Sequence, residues 1–204
     1  MTGFDQLIFF WRRFFLFKRV SARDTLTPKL KLMSASSSLQ YPIGKFAKPE
    51  TVTSAMIEEW IDYLAEFPRI FRTTAESLSE AQLDTPYRPD GWTGRQVIHH
   101  VADSHMNAYI RFKLVLTEDY PTIKPYMEDR WAKLPDSKLP IEASLRILES
   151  VHERWVVILR DIKDWENQGY YHPEFGTVKN PLSKVLALYH WHSRHHLGHL
   201  ESLK

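Results

Sequence analysis

The stretch Thr93-Gly-Arg-Gln-Val-Ile-His-His-Val-Ala-Asp-Ser-His-Met-Asn-Ala-Tyr-Ile-Arg-Phe-Lys-Leu-Val-Leu-Thr-Glu118 decides the fold class. Thr93 followed three residues later by Gln96 is a capping-box pattern, in which each side chain satisfies an otherwise unpaired backbone N–H at a helix start. From there Val97, Val101, Ala108, Phe112 and Leu116 recur at helical spacing. The spacing predicts one long helix ending near Glu118, with an apolar face that must pack on something.

Three more segments of the same kind flank it. Met56, Trp60, Leu64, Phe67, Phe71, Ala75 and Leu78 share one face of a helix over about Thr51–Leu78, which Pro68 is expected to kink. Ser79 and Gln82 open a short helical turn before a loop from Pro86 to Gly91. Beyond Glu118, prolines 121, 125, 135 and 140 punctuate a long connection, of a kind that often carries function or crosses a bundle end. A third long helix is expected over Ile141–Asp164, with Leu145, Leu148, Val151, Trp155, Ile158 and Leu159 inward. Asn180 as N-cap and Pro181 as first helical residue predict a fourth, running nearly to Lys204. Four amphipathic helices make an all-α bundle, and seven glycines offer too little turn chemistry for an all-β sandwich.

The composition narrows the function. With 204 residues, the chain suits one domain. A net charge of +2 gives no strong field for nucleic acid or anionic lipid. The lack of any cysteine removes disulfides, thiolate ligands and a cysteine nucleophile together, and fits a cytoplasmic location. No run approaches the roughly 20 apolar residues that span a bilayer. Residues 1–40 read as an extension outside a domain of residues 41–204. Its segment from Phe4 to Arg19 is apolar and basic together, as in an interfacial amphipathic helix, yet lacks the layout of a secretory signal. The alternative is a non-native leader, since Met33 opens a polar run, Ser34 to Ser38, that could mark the true start.

The chemistry concentrates in histidine. Five of the ten histidines fall between positions 190 and 199. On a helix His192, His195, His196 and His199 share an arc of about 100°, while His190 points away. Both His192/His196 and His195/His199 have the one-turn spacing that lets two imidazoles reach one ion, and periodicity does not choose between them. A third ligand should come from the second long helix, because bundle metal sites are built from facing helices. There His100 lies at the edge of the apolar arc, on a polar stripe with Ser104, Asn107 and Arg111. His105 falls inside the arc, as a core histidine or an alternative ligand, and His99 points away as a solvated one. Three neutral imidazoles favour Zn2+, with Ni2+ as the alternative, and leave coordination positions open for chemistry. Asp103 and Glu153 are candidate acids or bases that spacing does not bring to the metal; Asp103 reads as solvated or as a cap.

Several motifs stand out: Tyr41-Pro-Ile-Gly44, Gln82-Leu-Asp-Thr-Pro-Tyr-Arg88, Gly91-Trp-Thr93, Arg95-Gln-Val97, His99-His-Val-Ala-Asp-Ser-His-Met-Asn107, Tyr109-Ile-Arg-Phe-Lys-Leu114, Arg154-Trp155, Tyr171-His-Pro173 and Trp191-His-Ser193 with His195, His196 and His199. Together they resemble those of the YfiT family of the DinB-like superfamily. The resemblance covers Tyr41 to Lys204 and implies a DinB/YfiT-like four-helix bundle with a long connection between its second and third helices. It further implies a homodimer and one divalent metal ion per subunit, on His100, His195 and His199. The family is described as metal-dependent hydrolases and, within it, bacillithiol S-transferases. The leader before Tyr41 is longer than the family pattern, and the chain ends at Lys204, slightly early. The implied activity is metal-dependent transfer of a low-molecular-weight thiol to an electrophilic substrate, the missing cysteine being supplied by the cosubstrate. Arg111 would contact a carboxylate of that thiol, because guanidinium matches carboxylate geometry. Its alternative is an ordinary inter-helix ion pair. The rival functions are hydrolysis by metal-activated water and a non-enzymatic, metal-stabilised stress-response module, which a fourth protein ligand such as His192 or His196 would favour.

Overall fold

The long helix read from Thr93 is present as Gly94–Thr117, and both halves of its capping box form. We label it α3. The computed structural model describes residues 39–173 and 176–204, so the readings made on residues 1–38 lie outside the described residues. Before α3 come α1, Ser54–Glu76, and the single turn α2, Glu80–Leu83. After it come α4, Glu128–Trp131, a 3-10 turn at Pro135–Lys138, and α5, Glu142–Asp161. A hairpin of β1, Gly169–Tyr171, and β2, Lys179–Pro181, leads into α6, Leu182–Glu201. Among the described residues no helix is long and apolar enough to cross a membrane.

The expected long connection between α3 and α5 is present and carries α4 and the 3-10 turn. Two sequence expectations need correction. Asn180 does not cap α6: it sits in β2 opposite Tyr170, and Pro181 holds the cap position one residue before the helix. The α6 start needs no polar cap because backbone carbonyls of the preceding loop take its first donors, Leu182 N to Gln168 O at 2.9 Å and Ser183 N to Trp165 O at 3.1 Å. Gly169 makes this approach feasible, as a Cβ there would collide with Asn180 O. α5 stops at Asp161, where Ile162 turns extended.

Packing places the helices in an uncommon order. α1 packs on α5 and α6, and α3 packs on the same two. Chain neighbours α1 and α3 therefore stand across one diagonal, and α5 and α6 across the other. A diagonal step requires a longer connection than a side-by-side one, which α2 and the hairpin provide.

The core has two apolar clusters. One gathers Trp60, Leu64, Ala108, Phe112, Trp155, Leu186 and Tyr189 with their neighbours. The other gathers Phe67, Phe71, Val97, Val101, Leu145, Leu148 and Leu200. Along each of α3, α5 and α6 the change from one cluster to the other is marked by histidine: His105, His152, and the run from His192 to His199. A layer of imidazoles thus lies between two greasy layers.

A candidate metal centre in the histidine layer

Among the described residues, two histidine triplets bring potential ligand nitrogens within 4.8 Å of one another: His100, His192 and His196, and His195, His196 and His199. The set implied by resemblance is divided between them, His100 falling in the first, His195 and His199 in the second, with His196 common to both. In the first triplet His100 Nε2 lies 3.3 Å from His192 Nε2. Two nitrogens bound tetrahedrally at about 2.0–2.1 Å from one ion lie roughly 3.3–3.4 Å apart, so this spacing fits a shared divalent cation. In the second, His196 Nδ1 and His199 Nδ1 are also 3.3 Å apart.

The surroundings differ. His100 and His192 line a pocket with Ser104, Arg111, Tyr126, Glu128 and Tyr189. His195 and His199 are instead enclosed by aromatic rings: Trp191 stacks on His195 at 4.4 Å and Tyr87 on His199 at 3.9 Å between centroids. His199 Nε2 meets Gln40 O at 3.3 Å, and His195 Nδ1 is buried with no hydrogen-bond partner among the described residues.

Burial first, and mutual repulsion second, push His100 down to about 3 and His192 and His196 well below the ordinary imidazole range. The rings are therefore neutral near pH 7, the form that ligates metal. Buried neutral imidazoles with no carboxylate in either triplet form a donor set suited to a first-row divalent ion. The residues fit a metal.

The other expected residues also have definite places. His105 is a core histidine, 0% exposed, bonded to His152 and His192. His99 is not solvated: it is 7% exposed, with Nδ1 2.7 Å from Ser144 Oγ and Nε2 3.1 Å from Leu139 O. Asp103 is half-buried rather than solvated, and burial raises its carboxyl to about 6. Glu153 is exposed, and neither acid belongs to a triplet. Arg111 is 7% exposed, yet the contact of its guanidinium is a long one, Nη2 to Lys124 O at 3.4 Å. Among the described residues it makes no ion pair within 4.0 Å, unlike Arg95, which meets Asp84 at 2.7 Å. Sequence reasoning passed over His152, Tyr126 and Glu128. His152 was findable, because it lies on the stripe Leu148, Trp155, Leu159 that faces inward. Tyr126 and Glu128 come from the proline-punctuated connection, which carries no periodic signal.

A mostly helical bundle whose histidine layer borders a pocket lined by Arg111, Tyr126 and Glu128 defines a class. Residues 55–200 match the profile of the DinB superfamily, and the chain belongs to that superfamily. Within it, proteins from Bacillus cereus strain 03BB102 and Bacillus thuringiensis subsp. konkukian, each named "Putative metal-dependent hydrolase", are 51% identical over 170 residues, or 82% of this chain and 96% of theirs. Among solved structures, YfiT from Bacillus subtilis, described as "a probable metal-dependent hydrolase with an unusual four-helix bundle topology", matches with a TM-score of 0.77 at 45% identity, covering 81% of this chain and 95% of that one. The diagonal placement of successive helices gives the bundle described here its own unusual order.

Proposed function

We propose that this chain is a metal-dependent hydrolase of a small-molecule substrate, with its ion held by His100, His192 and His196. The observation that carries the reading is the His100–His192 pair, set 3.3 Å apart at the wall of a pocket that Arg111 and Glu128 also line. The triplet His195, His196 and His199 is the less favoured site, because aromatic rings cover it and Gln40 O engages His199. A bound divalent ion supplies Lewis acidity, which lowers the pKa of a water or thiol at its open position. Zn2+ or Ni2+ suits three imidazoles.

The remaining roles belong to the pocket. Glu128 lines it, and in this reading its carboxylate would take a proton from the nucleophile. Arg111 presents a buried guanidinium to the same space, where it would hold an anionic substrate group and fix its orientation. That guanidinium also favours a second reading, transfer of a low-molecular-weight thiol such as bacillithiol to an electrophile, because such thiols carry carboxylates for Arg111 to grip. The homodimer implied by family resemblance and the cytoplasmic location that the lack of cysteine fits belong to this proposal too, the first open to test by light scattering.

Metal stoichiometry of single alanine variants tests the site. His100→Ala, His192→Ala and His196→Ala should each lose the ion, and His195→Ala should keep it; loss in His195→Ala with retention in His192→Ala would favour the other pair. Activity separates the two readings. Metal-loaded protein is incubated with ester and amide panels, and separately with thiols plus monochlorobimane. Metal-dependent hydrolysis supports the first reading, and conjugate formation without hydrolysis replaces it with the second.

A further inference from the structure

Hydrogen bonds in the histidine layer run in two series, and both begin at a backbone carbonyl. In the first, His152 Nδ1 is 2.7 Å from Leu64 O, His105 Nδ1 is 2.7 Å from His152 Nε2, and His192 Nδ1 is 3.3 Å from His105 Nε2. In the second, His199 Nε2 is 3.3 Å from Gln40 O, and His196 Nδ1 is 3.3 Å from His199 Nδ1.

A carbonyl only accepts, and a neutral imidazole has one N–H and one lone pair. These two facts dictate every proton. His152 must donate from Nδ1 to Leu64 O, which leaves its Nε2 to accept from His105 Nδ1–H. His105 Nε2 is then a lone pair, and accepts from His192 Nδ1–H. In the second series His199 donates from Nε2 to Gln40 O, and its Nδ1 accepts from His196 Nδ1–H. Both series end with a ring protonated on Nδ1 and bare on Nε2.

We propose that these two carbonyl-anchored imidazole series fix the tautomers of His192 and His196, leaving Nε2 of each unprotonated for the ion, that of His192 already 3.3 Å from His100 Nε2. The inference rests on the ligand set proposed above. It makes His105, His152 and His199 positioning residues, acting on the ion through the rings that touch it. Ligating histidines commonly have their second nitrogen held in this way; here the holding group is another histidine, and at one site two in series.

Two features support a built device. The Leu64 carbonyl is available because residue 68, whose N–H would bond it in a regular helix, is proline, and Pro68 lies within the continuous helix α1. Leu64 is 0% and His152 1% exposed, so the first series ends inside the core. A series closed at that end is no route for protons to solvent; it can only set orientation and tautomer.

The experiment uses the full-length, metal-stripped protein with 15N-labelled histidine, read by two-bond 1H–15N correlation at pH 7.5. The expected spectra show His192 and His196 as Nδ1–H tautomers. His105→Phe keeps the ring volume but removes the acceptor, and should return His192 to a tautomer mixture and weaken Co2+ binding, read by chelator competition, roughly 10–100-fold. His199→Phe should do the same through His196. Nε2–H at either ring in the unmodified protein, or unaltered Co2+ affinity in both variants, overturns the proposal. Should His105→Phe fail to fold, the spectra of the unmodified protein and His199→Phe decide it. The spectra need no metal, so retained ion in His192→Ala would sink the ligand set while the spectra still judge the tautomers.

Discussion

At the scale of single residues, the pocket presents a buried guanidinium that an anionic substrate group would suit. Arg111 is buried and, among the described residues, has no carboxylate within 4.0 Å. A buried cation without a counter-ion is costly, and an anionic substrate group placed against it recovers that cost on binding. Arg111→Ala should therefore raise KM for an anionic substrate by roughly 10–100-fold, the equivalent of a charge-assisted hydrogen bond. KM for a neutral analogue should barely change. Steady-state kinetics on the matched pair checks this, and equal losses on both would reassign Arg111 to a structural role. The histidine-rich face of α6 was legible because helical spacing is a local property. Which of its pairs meets His100 was not, since His192/His196 and His195/His199 are related by less than one turn and differ only in what crosses from α3 and from Gln40. His99 was misjudged for a similar reason: its partners Ser144 and Leu139 O are some 40 positions away, beyond any local pattern.

Element boundaries were legible where the chain itself caps the helix and illegible where another segment does. α3 was read to within one residue because Thr93 and Gln96 satisfy its first donors locally. α6 was misplaced by one residue because carbonyls of Trp165 and Gln168 take over that task, and strands of three residues leave no alternation to detect. The diagonal order of the helices was invisible as well, since amphipathic faces state that a helix packs but not on which neighbour. The cap of α3 carries a prediction, because this helix positions both His100 and Arg111. Thr93→Ala removes the bond accepted from Gln96 N, while the backbone N–H of residue 93 can still donate to Gln96 Oε1. Stability should fall by about 1 kcal/mol, measured by urea unfolding of the metal-free protein. Ser79→Ala at the one-turn α2 should cost less, because few tertiary contacts depend on four residues. A larger loss at Ser79 would mean that α2 governs the docking of α3, through Arg95 and Asp84, more than its own cap does.

Over the whole molecule, a layer of neutral imidazoles between two apolar clusters makes stability depend on pH with a definite sign. His152, buried and bonded to Leu64 O, has its pKa lowered from 6.5 to about 4, chiefly by desolvation. His105, in the same layer, is lowered well below 6.5 for the same first reason, with repulsion from His152 and His192 added. Between pH 4 and 6.5 the unfolded chain thus binds protons that the folded layer refuses, so stability falls as pH drops through that window. Asp103 acts oppositely: its carboxyl is raised from 3.8 to about 6, so the folded state binds its proton more readily over that range. One half-buried carboxyl opposes at least two fully buried rings, and the rings should dominate. For the metal-free protein, Tm should hold near pH 7–8 and fall steeply from about pH 6.5 toward 4, by the equivalent of a few kcal/mol. Replacing His152 with Phe, which cannot titrate, should flatten that slope even if it lowers Tm at pH 7 by orphaning His105 Nδ1. A steeper or unchanged slope in His152→Phe would show that acid sensitivity arises outside the histidine layer. Calorimetric scans across this range, with chelator present to keep the ligands metal-free, separate the two outcomes. Repeating them with saturating Zn2+ should shift the fall to lower pH, because protons and the ion compete for the same nitrogens and a ligand that binds only the folded state raises Tm.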